Sequence, residues 1–356
     1  MGRHRKGFAA GFPLRFPVLL LAFVVLAAGS VLAQQTGQQS SKVTDRVIYN
    51  AGWYLNESVQ TPCYWAGTRR VDLAGDGVHD ARARACAVSE GTVYSAGWWN
   101  DGAKDIACYW AGTSRTDLAG DEASGSQATA IAVSGDTVYT GGQWNDGSKW
   151  IPCYWQGTRR VDLDSSGSSN SGVWSMAVSG GTVYCSGWWN NGTRDIACFW
   201  TGTRRTDLDG GAKSSYANVM TVSNGVVYTG GTWDWNGKTS KACYWVGKKR
   251  TNIASMGSVW AISVSKGVVT AAGTTIGQDR WVPWLWAQGA LTDLSDGVHP
   301  GFVASSASTA GIFCPSGFYW DGTKNVACYW MDTYRVDLDG GDGGSMAGAP
   351  AFYTGK

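Results

Sequence analysis

The chain has 356 residues, of which 50 are glycine and 21 tryptophan, and only 16% are charged. Few charges beside so many aromatic residues and glycines exclude a disordered chain and a charged helical bundle, and point to short strands joined by tight turns. With only eight prolines, collagen-like and proline-rich linker readings also fail.

Arg3, Arg5 and Lys6 open the chain, Phe16 to Val31 is an apolar run, and Val31-Leu32-Ala33 puts small residues at a cleavage point. Residues 1–33 therefore read as a secretory signal peptide cut after Ala33. The run falls short of the roughly 20 residues of a membrane span, and retention as an N-terminal anchor is the alternative. Processing would remove four basic groups (Arg3, Arg5, Lys6, Arg15) and no acidic one, leaving 25 Lys and Arg against 27 Asp and Glu. No basic footprint for nucleic acid survives. The mature protein is expected to be secreted, periplasmic or on the cell surface, with no membrane span. Residues 34–45 (QQTGQQSSKVTD) read as a polar linker and 46–356 as the folded domain.

That domain is repetitive. Thr92 to Trp110 returns as Thr137 to Trp155 and Thr182 to Trp200, with looser copies at Val47 to Trp65, Val226 to Trp245, Val268 to Trp286 and Ile312 to Trp330. The marker Trp falls at 65, 110, 155, 200, 245, 286 and 330, a spacing of 45 broken by 41 and 44 near the end. Turn residues divide each copy into four strands, A to D. In the third copy, Ala128–Ser134 is strand A and Thr137–Trp144 strand B; in the second, Ile106–Trp110 is strand C and Arg115–Leu118 strand D. Seven copies of four antiparallel strands predict an all-β fold, a seven-bladed β-propeller. The first copy begins at strand B, and the C-terminal Ala347 to Thr354 reads as its missing strand A, so the ring is expected to close by joining the C-terminal strand to the N-terminal blade.

The repeated pattern V-Y-x-x-G-x-W-[ND]-[DN]-G-x(4)-A-C-Y-W resembles the tandem-repeat propellers of secreted bacterial proteins, distantly like kelch and WD40 propellers. That resemblance covers 46–356 and implies architecture without an activity. The chain lacks the Trp-Asp ending of WD40 blades, the double glycine of kelch blades and the Ser-x-Asp-x-Gly-x-Thr-Trp box of sialidase-type propellers.

The marker Trp in every copy suits packing of one blade on the next. Cys63, Cys108, Cys153, Cys198, Cys243 and Cys328 recur beside it and read as small buried hydrophobes; Cys86, Cys185 and Cys314 stand outside the pattern. Cys185 and Cys198 are placed nearly opposite each other, which leaves a cross-strand disulfide open in an oxidising compartment. Arg-x-Asp recurs on strand D at Arg70/Asp72, Arg115/Asp117, Arg160/Asp162, Arg205/Asp207 and Arg335/Asp337, a pair on one strand face that reads as structural. Only His79 and His299 follow the leader, so neither a metal site nor a cofactor is expected, and no catalytic residue is assigned.

The B–C hairpins and the variable D–A crossovers share one face, and binding usually lies on variable loops of a rigid scaffold. Aromatic residues crowd there, including Trp174 and Trp260 at the start of strand A. The candidate ligand-binding residues are Trp53, Trp98, Trp99, Trp144, Trp188, Trp189, Trp233 and Trp320. The expectation is a monomeric, non-enzymatic binding or scaffold propeller that takes a protein partner on that face. A lectin-like glycan binder with repeated Trp-lined sites is the first alternative, and an enzyme at the central channel the second.

Overall fold

The computed structural model describes residues 46–120, 124–167, 169–208, 211–276, 280–309 and 312–354. The chain divides into residues 1–43 and 44–356, and the whole of the expected signal peptide and linker lies outside the described residues. The described part contains 28 strands and no helix. The all-β, propeller-type expectation holds.

The strands form five four-stranded antiparallel sheets and one of eight strands. In the second copy strand A is Ala81–Ser89, B is Thr92–Asn100, C is Asp105–Ala111 and D is Ser114–Asp117. The same A-B-C-D order recurs through the seventh copy, whose strand A is Gly301–Thr309 and whose strand D is Tyr334–Asp337. The eight-stranded sheet joins two such sets. The C-terminal strand Ser345–Thr354 pairs antiparallel with strand B of the first copy, Arg46–Asn56, and touches strand A of the second through one parallel bridge, Ala349 to Ala85. The permuted strand therefore sits where the repeat arithmetic puts it. Each strand A packs against that of the following copy, and the C-terminal strand packs against both Gly301–Thr309 and Ala81–Ser89.

Trp65, Trp110, Trp155, Trp200, Trp245 and Trp330 are no more than 1% exposed. Burying an indole N–H without a partner is costly, and the sheet arrangement supplies one. Trp110 donates to the Ala74 carbonyl at 2.8 Å, Trp155 to Ala119 at 2.6 Å, Trp200 to Asp164 at 2.9 Å and Trp330 to Leu294 at 3.1 Å, each where strand D of the preceding copy ends. Trp65 reaches across 274 positions of sequence to the Asp339 carbonyl at 2.6 Å. One side chain thus fills the inter-copy space and fixes its register. The sixth copy departs: Trp284, at the Cys position, is 3% exposed, and the marker Trp286 is only half-buried, tilted against Tyr244.

Every strand A is interrupted by a β-bulge at the same place. Pairing with strand B slips between Ala83 and Ala85, Ala128 and Ala130, Val173 and Ser175, Ala217 and Val219, Val259 and Ala261, and Val303 and Ser305. The C-terminal strand slips between Ala347 and Pro350. Opposite the slip strand B carries glycine: Gly52, Gly97, Gly142, Gly187, Gly231, Gly273 and Gly317. A Cβ on any of them would overlap the backbone carbonyl just before the bulge, that of Gln127 for Gly142 and of Arg82 for Gly97. The glycine of the repeat is therefore a packing requirement. Gly142→Ala is expected to cost about 3 kcal/mol, the upper end of overpacking penalties, read as a fall in denaturation midpoint; an unchanged midpoint would show that the bulge needs no glycine.

All nine cysteines are buried and free. The disulfide left open between Cys185 and Cys198 is excluded by register: Cys185 lies opposite Trp200, and Cys198 opposite Gly187. Burial pushes the Cys185, Cys86 and Cys314 thiols up to about 12, far from the reactive thiolate. Native protein is expected to give no reaction with Ellman's reagent, and nine thiols in denaturant; fewer than nine would reveal a bridge.

Candidate functional site

Consecutive residues of strand B point to opposite sheet faces, and this alternation separates the predicted tryptophans into two groups. Two residues after the glycine come Tyr54, Trp99, Trp144, Trp189, Trp233 and Tyr319. Each lies flat beneath an arginine of strand D. The guanidinium carbon sits 3.7 Å from the ring centre for Arg70 on Tyr54, 3.8 Å for Arg115 on Trp99, and 3.7 Å for Arg160 on Trp144. Arg205 on Trp189 and Arg250 on Trp233 repeat 3.7 Å, and Arg335 on Tyr319 gives 3.5 Å. The Asp of Arg-x-Asp closes the unit. It accepts from the arginine Nε at 2.9 to 3.2 Å. It also accepts the ring's polar hydrogen, from Trp99 at 3.1 Å, Trp144 at 3.0 Å, Tyr54 at 3.1 Å and Tyr319 at 3.0 Å. These aromatic–Arg–Asp ladders tie strand B to strand D across strand C. The structural reading of Arg-x-Asp extends to the rings, and three candidate residues (Trp99, Trp144, Trp189) lie within ladders, while Trp233 lies under Arg250, which has Asn252 in place of the Asp.

The residue before each ladder ring faces the other way. Trp53 and Trp98 flank the Arg82 guanidinium, at 5.1 and 5.2 Å from their ring centres, while Arg82 hydrogen-bonds Gln60. Trp188 approaches Trp174 at 6.5 Å and Tyr216 at 6.2 Å. Trp320 is 42% exposed and stands apart on its hairpin. The eight predicted residues are therefore not brought together as one binding surface.

What does converge is the set of bulge residues. Arg84, Thr129, Trp174, Asn218, Trp260 and Ala304, with Gly348 in the C-terminal strand, all line one cavity of about 550 Å³ between the strands A. A bulge re-aims a side chain out of the sheet alternation, and here it does so in every copy. Trp53, Phe302 and Met346 join the lining.

The wall is uneven. Trp174 stacks on Tyr216 at 5.4 Å and meets Trp260 at 6.2 Å, and Trp260 meets Phe302 at 5.4 Å. Phe302 continues to Phe318 and Trp281, both at 5.5 Å, so an aromatic arc runs from the fourth copy to the seventh. Tyr216 donates its hydroxyl to Asp195, and burial and that carboxylate raise its pKa. Thr129 and Asn218 tie their bulges to the next strand A, at the carbonyls of Val173 (2.6 Å) and Val259 (2.9 Å). The second copy supplies the cations Arg82 and Arg84. Arg84 is open to the solvent of the cavity yet enclosed by its wall, and burial, then the nearby Arg82 charge, lowers its pKa.

The two histidines serve turns. His79 pairs with Asp76 at 2.6 Å and His299 with Asp296 at 2.8 Å, while Asp76 and Asp296 also accept backbone N–H groups of their Asp-Gly-Val-His turns.

No protein-family model matches the chain, and no curated protein matches it. Among solved structures it is similar to a Trypanosoma rangeli sialidase in complex with sialic acid, at 12% identity and a TM-score of 0.47, over 84% of this chain and 56% of that one. It is also similar to a Mycobacterium tuberculosis puromycin-hydrolyzing peptidase, at 11% identity and a TM-score of 0.50, over 73% and 46%. The chain thus spans about half the length of these structures, and the likeness is one of fold. The expectation of a non-enzymatic scaffold is corrected to this extent: the structure similar at a TM-score of 0.50 is a peptidase, and the likeness, being one of fold, confirms no binding role. Of the eight rings expected on the loop face, Trp99, Trp144, Trp189 and Trp233 lie under arginines. No helix among the described residues is long and apolar enough to cross a membrane.

The ladder has a direct test. A double-mutant cycle on Trp144→Ala and Arg160→Ala is expected to give a coupling of about 0.5–1 kcal/mol, the range for exposed cation–π pairs; additive losses would show two independent residues.

Proposed function

We propose that this chain is an exported, seven-bladed, ring-closed propeller that receives a small organic ligand in its central cavity. Export is supported by Arg3, Arg5 and Lys6, the apolar run 16–31 and the small residues at 31–33. Seven blades are supported by the seven Trp-marked copies and the four-stranded sets, and closure by the Trp65 bond to Asp339 and the pairing of the C-terminal strand.

One observation carries the ligand reading. The copies agree at the positions flanking the bulge, which are Ala or Val throughout (Ala83, Ala128, Val173, Ala217, Val259, Val303, Ala347). At the bulge itself they diverge, offering Arg, Thr, Trp, Asn, Trp, Ala and Gly to a single cavity. A ring needing only to close could repeat one small residue there. The volume of about 550 Å³ lies within the range of small-molecule sites. Aromatic rings beside a few polar groups suit a flat or apolar-faced ligand. Whether it is bound or converted is a property of that same cavity.

Screening aromatic and heteroaromatic fragments by ligand-observed NMR against the full-length chain tests this. Hits are expected to be lost in Trp174→Ala/Trp260→Ala and retained in Trp320→Ala. The opposite pattern would place recognition outside the cavity and overturn the reading.

A further inference from the structure

Arg84 is the one cation that strand A carries at a bulge, and its surroundings define a ligand chemistry. Among the described residues, no carboxylate, hydrogen bond or ion pair meets it. The residues lining the cavity include neither Asp nor Glu, so nothing in the wall balances its charge. Every other guanidinium of strand D that covers a ring with an Asp two residues on is neutralised there. Arg82, its neighbour two residues earlier, is held between Trp53 and Trp98 and bonded to Gln60. Burial lowers the pKa of Arg82 against the opposing pull of Asp80 and Asp105, whereas for Arg84 burial and the Arg82 charge both lower it and no carboxylate opposes them. A guanidinium that lines a cavity with no counter-charge in its wall keeps its proton and has its donors free for an incoming anion. The planar fork of donors on arginine suits a carboxylate, phosphate or sulfonate, each able to accept two parallel hydrogen bonds.

An inorganic ion alone would leave the rest of the cavity unused. The aromatic arc of Trp174, Trp260 and Phe302 belongs to the fourth, sixth and seventh copies, whereas Arg84 belongs to the second. Charge and rings therefore occupy different sectors of one wall.

We infer that the cavity binds an organic anion whose acidic group pairs with Arg84 and whose apolar or aromatic body rests on Trp174 and Trp260. This rests on the central-cavity reading above, and names its ligand class. A cationic ligand is disfavoured by the same guanidinium, and a bare metal ion finds no carboxylate in the wall.

The test uses isothermal titration of the full-length chain with benzoate, phenyl phosphate, benzenesulfonate and the neutral benzyl alcohol. At least one anionic probe is expected to bind at least tenfold more tightly than benzyl alcohol, and their ranking separates carboxylate, phosphate and sulfonate. Arg84→Gln is expected to remove that preference while leaving benzyl alcohol binding unchanged; Arg84→Lys keeps part of it. Because Arg84→Gln could disturb the bulge, Thr129→Asp provides a second route: it leaves Arg84 in place but puts a carboxylate on the neighbouring bulge, and should weaken the anions at least tenfold. Anion binding that survives both variants, or no preference for anions in the native chain, overturns the anion assignment and leaves the cavity reading standing. Binding of every probe that is indifferent to Trp174→Ala/Trp260→Ala, or no binding by any probe, overturns the cavity reading itself.

Discussion

The close approach of strand A to strand B is the constraint on which the rest of the molecule depends. At seven places a carbonyl of strand A lies where a side chain of strand B would begin, and only glycine permits it. The slip that follows puts one extra residue on the inner strand, outside the inward–outward alternation of its neighbours. Without the bulge, the side chains at 84, 129, 174, 218, 260 and 304 would take their turn in the sheet and be sized to pack between copies. With it, they are freed from packing and free to differ. The same backbone feature thus explains both an unvarying residue and a highly varied one in otherwise similar repeats.

Cohesion and the lining of the cavity thereby fall to separate positions. The buried indoles of Trp65, Trp110, Trp155, Trp200 and Trp330, hydrogen-bonded to the strand D exit of the preceding copy, and the aromatic–Arg–Asp ladders recur with nearly constant geometry. They hold each sheet to its neighbour and each strand B to its strand D. None of them reaches the central cavity. The cavity wall, by contrast, spends little on cohesion: Thr129 and Asn218 bond to the next strand, while Trp174, Trp260 and Arg84 are held chiefly by their neighbours in the ring of strands. Substitutions at the two sets should therefore separate cleanly into loss of folding and loss of binding, since distant sites act nearly additively.

Architecture was legible because it is periodic. The marker Trp, the turn residues and the orphan strand at the C-terminus specify four-stranded sets and the pairing of Ser345–Thr354 with Arg46–Asn56. The sixth copy shows the limit of reading by register alone. Trp286 keeps the marker position, yet Trp284 occupies the buried one, because a large ring at the Cys position claims the space first. The site was less legible for a related reason. A bulge carries no residue signature of its own in strand A, so Ala128 to Ser134 reads as a plain strand, and Trp174 and Trp260 read as neighbours of a loop face. The sequence did hold a clue in the glycine before each ladder ring, but its meaning depends on a carbonyl of another strand. Likewise, Trp98 and Trp99 look equivalent in sequence, and only the direction of each side chain assigns one to a groove beside Arg82 and the other to a ladder.

The aromatic and cationic sectors also bear on symmetry. A ring of near-identical copies invites the idea of several equivalent sites, one per copy, as in the multivalent glycan-binding alternative. The inner wall argues against that arrangement. Equivalent bulge positions hold Arg, Thr, Trp, Asn, Trp, Ala and Gly in turn, and the arc from Trp188 through Trp174 and Trp260 to Phe302 crosses copies without repeating. Trp174 and Trp260 meet although a whole copy, carrying Asn218, lies between theirs in sequence. Such a wall has no rotational equivalence left. The outer parts of the copies can then stay regular, because what distinguishes one position around the ring from another is decided by a single residue at the inner edge of each.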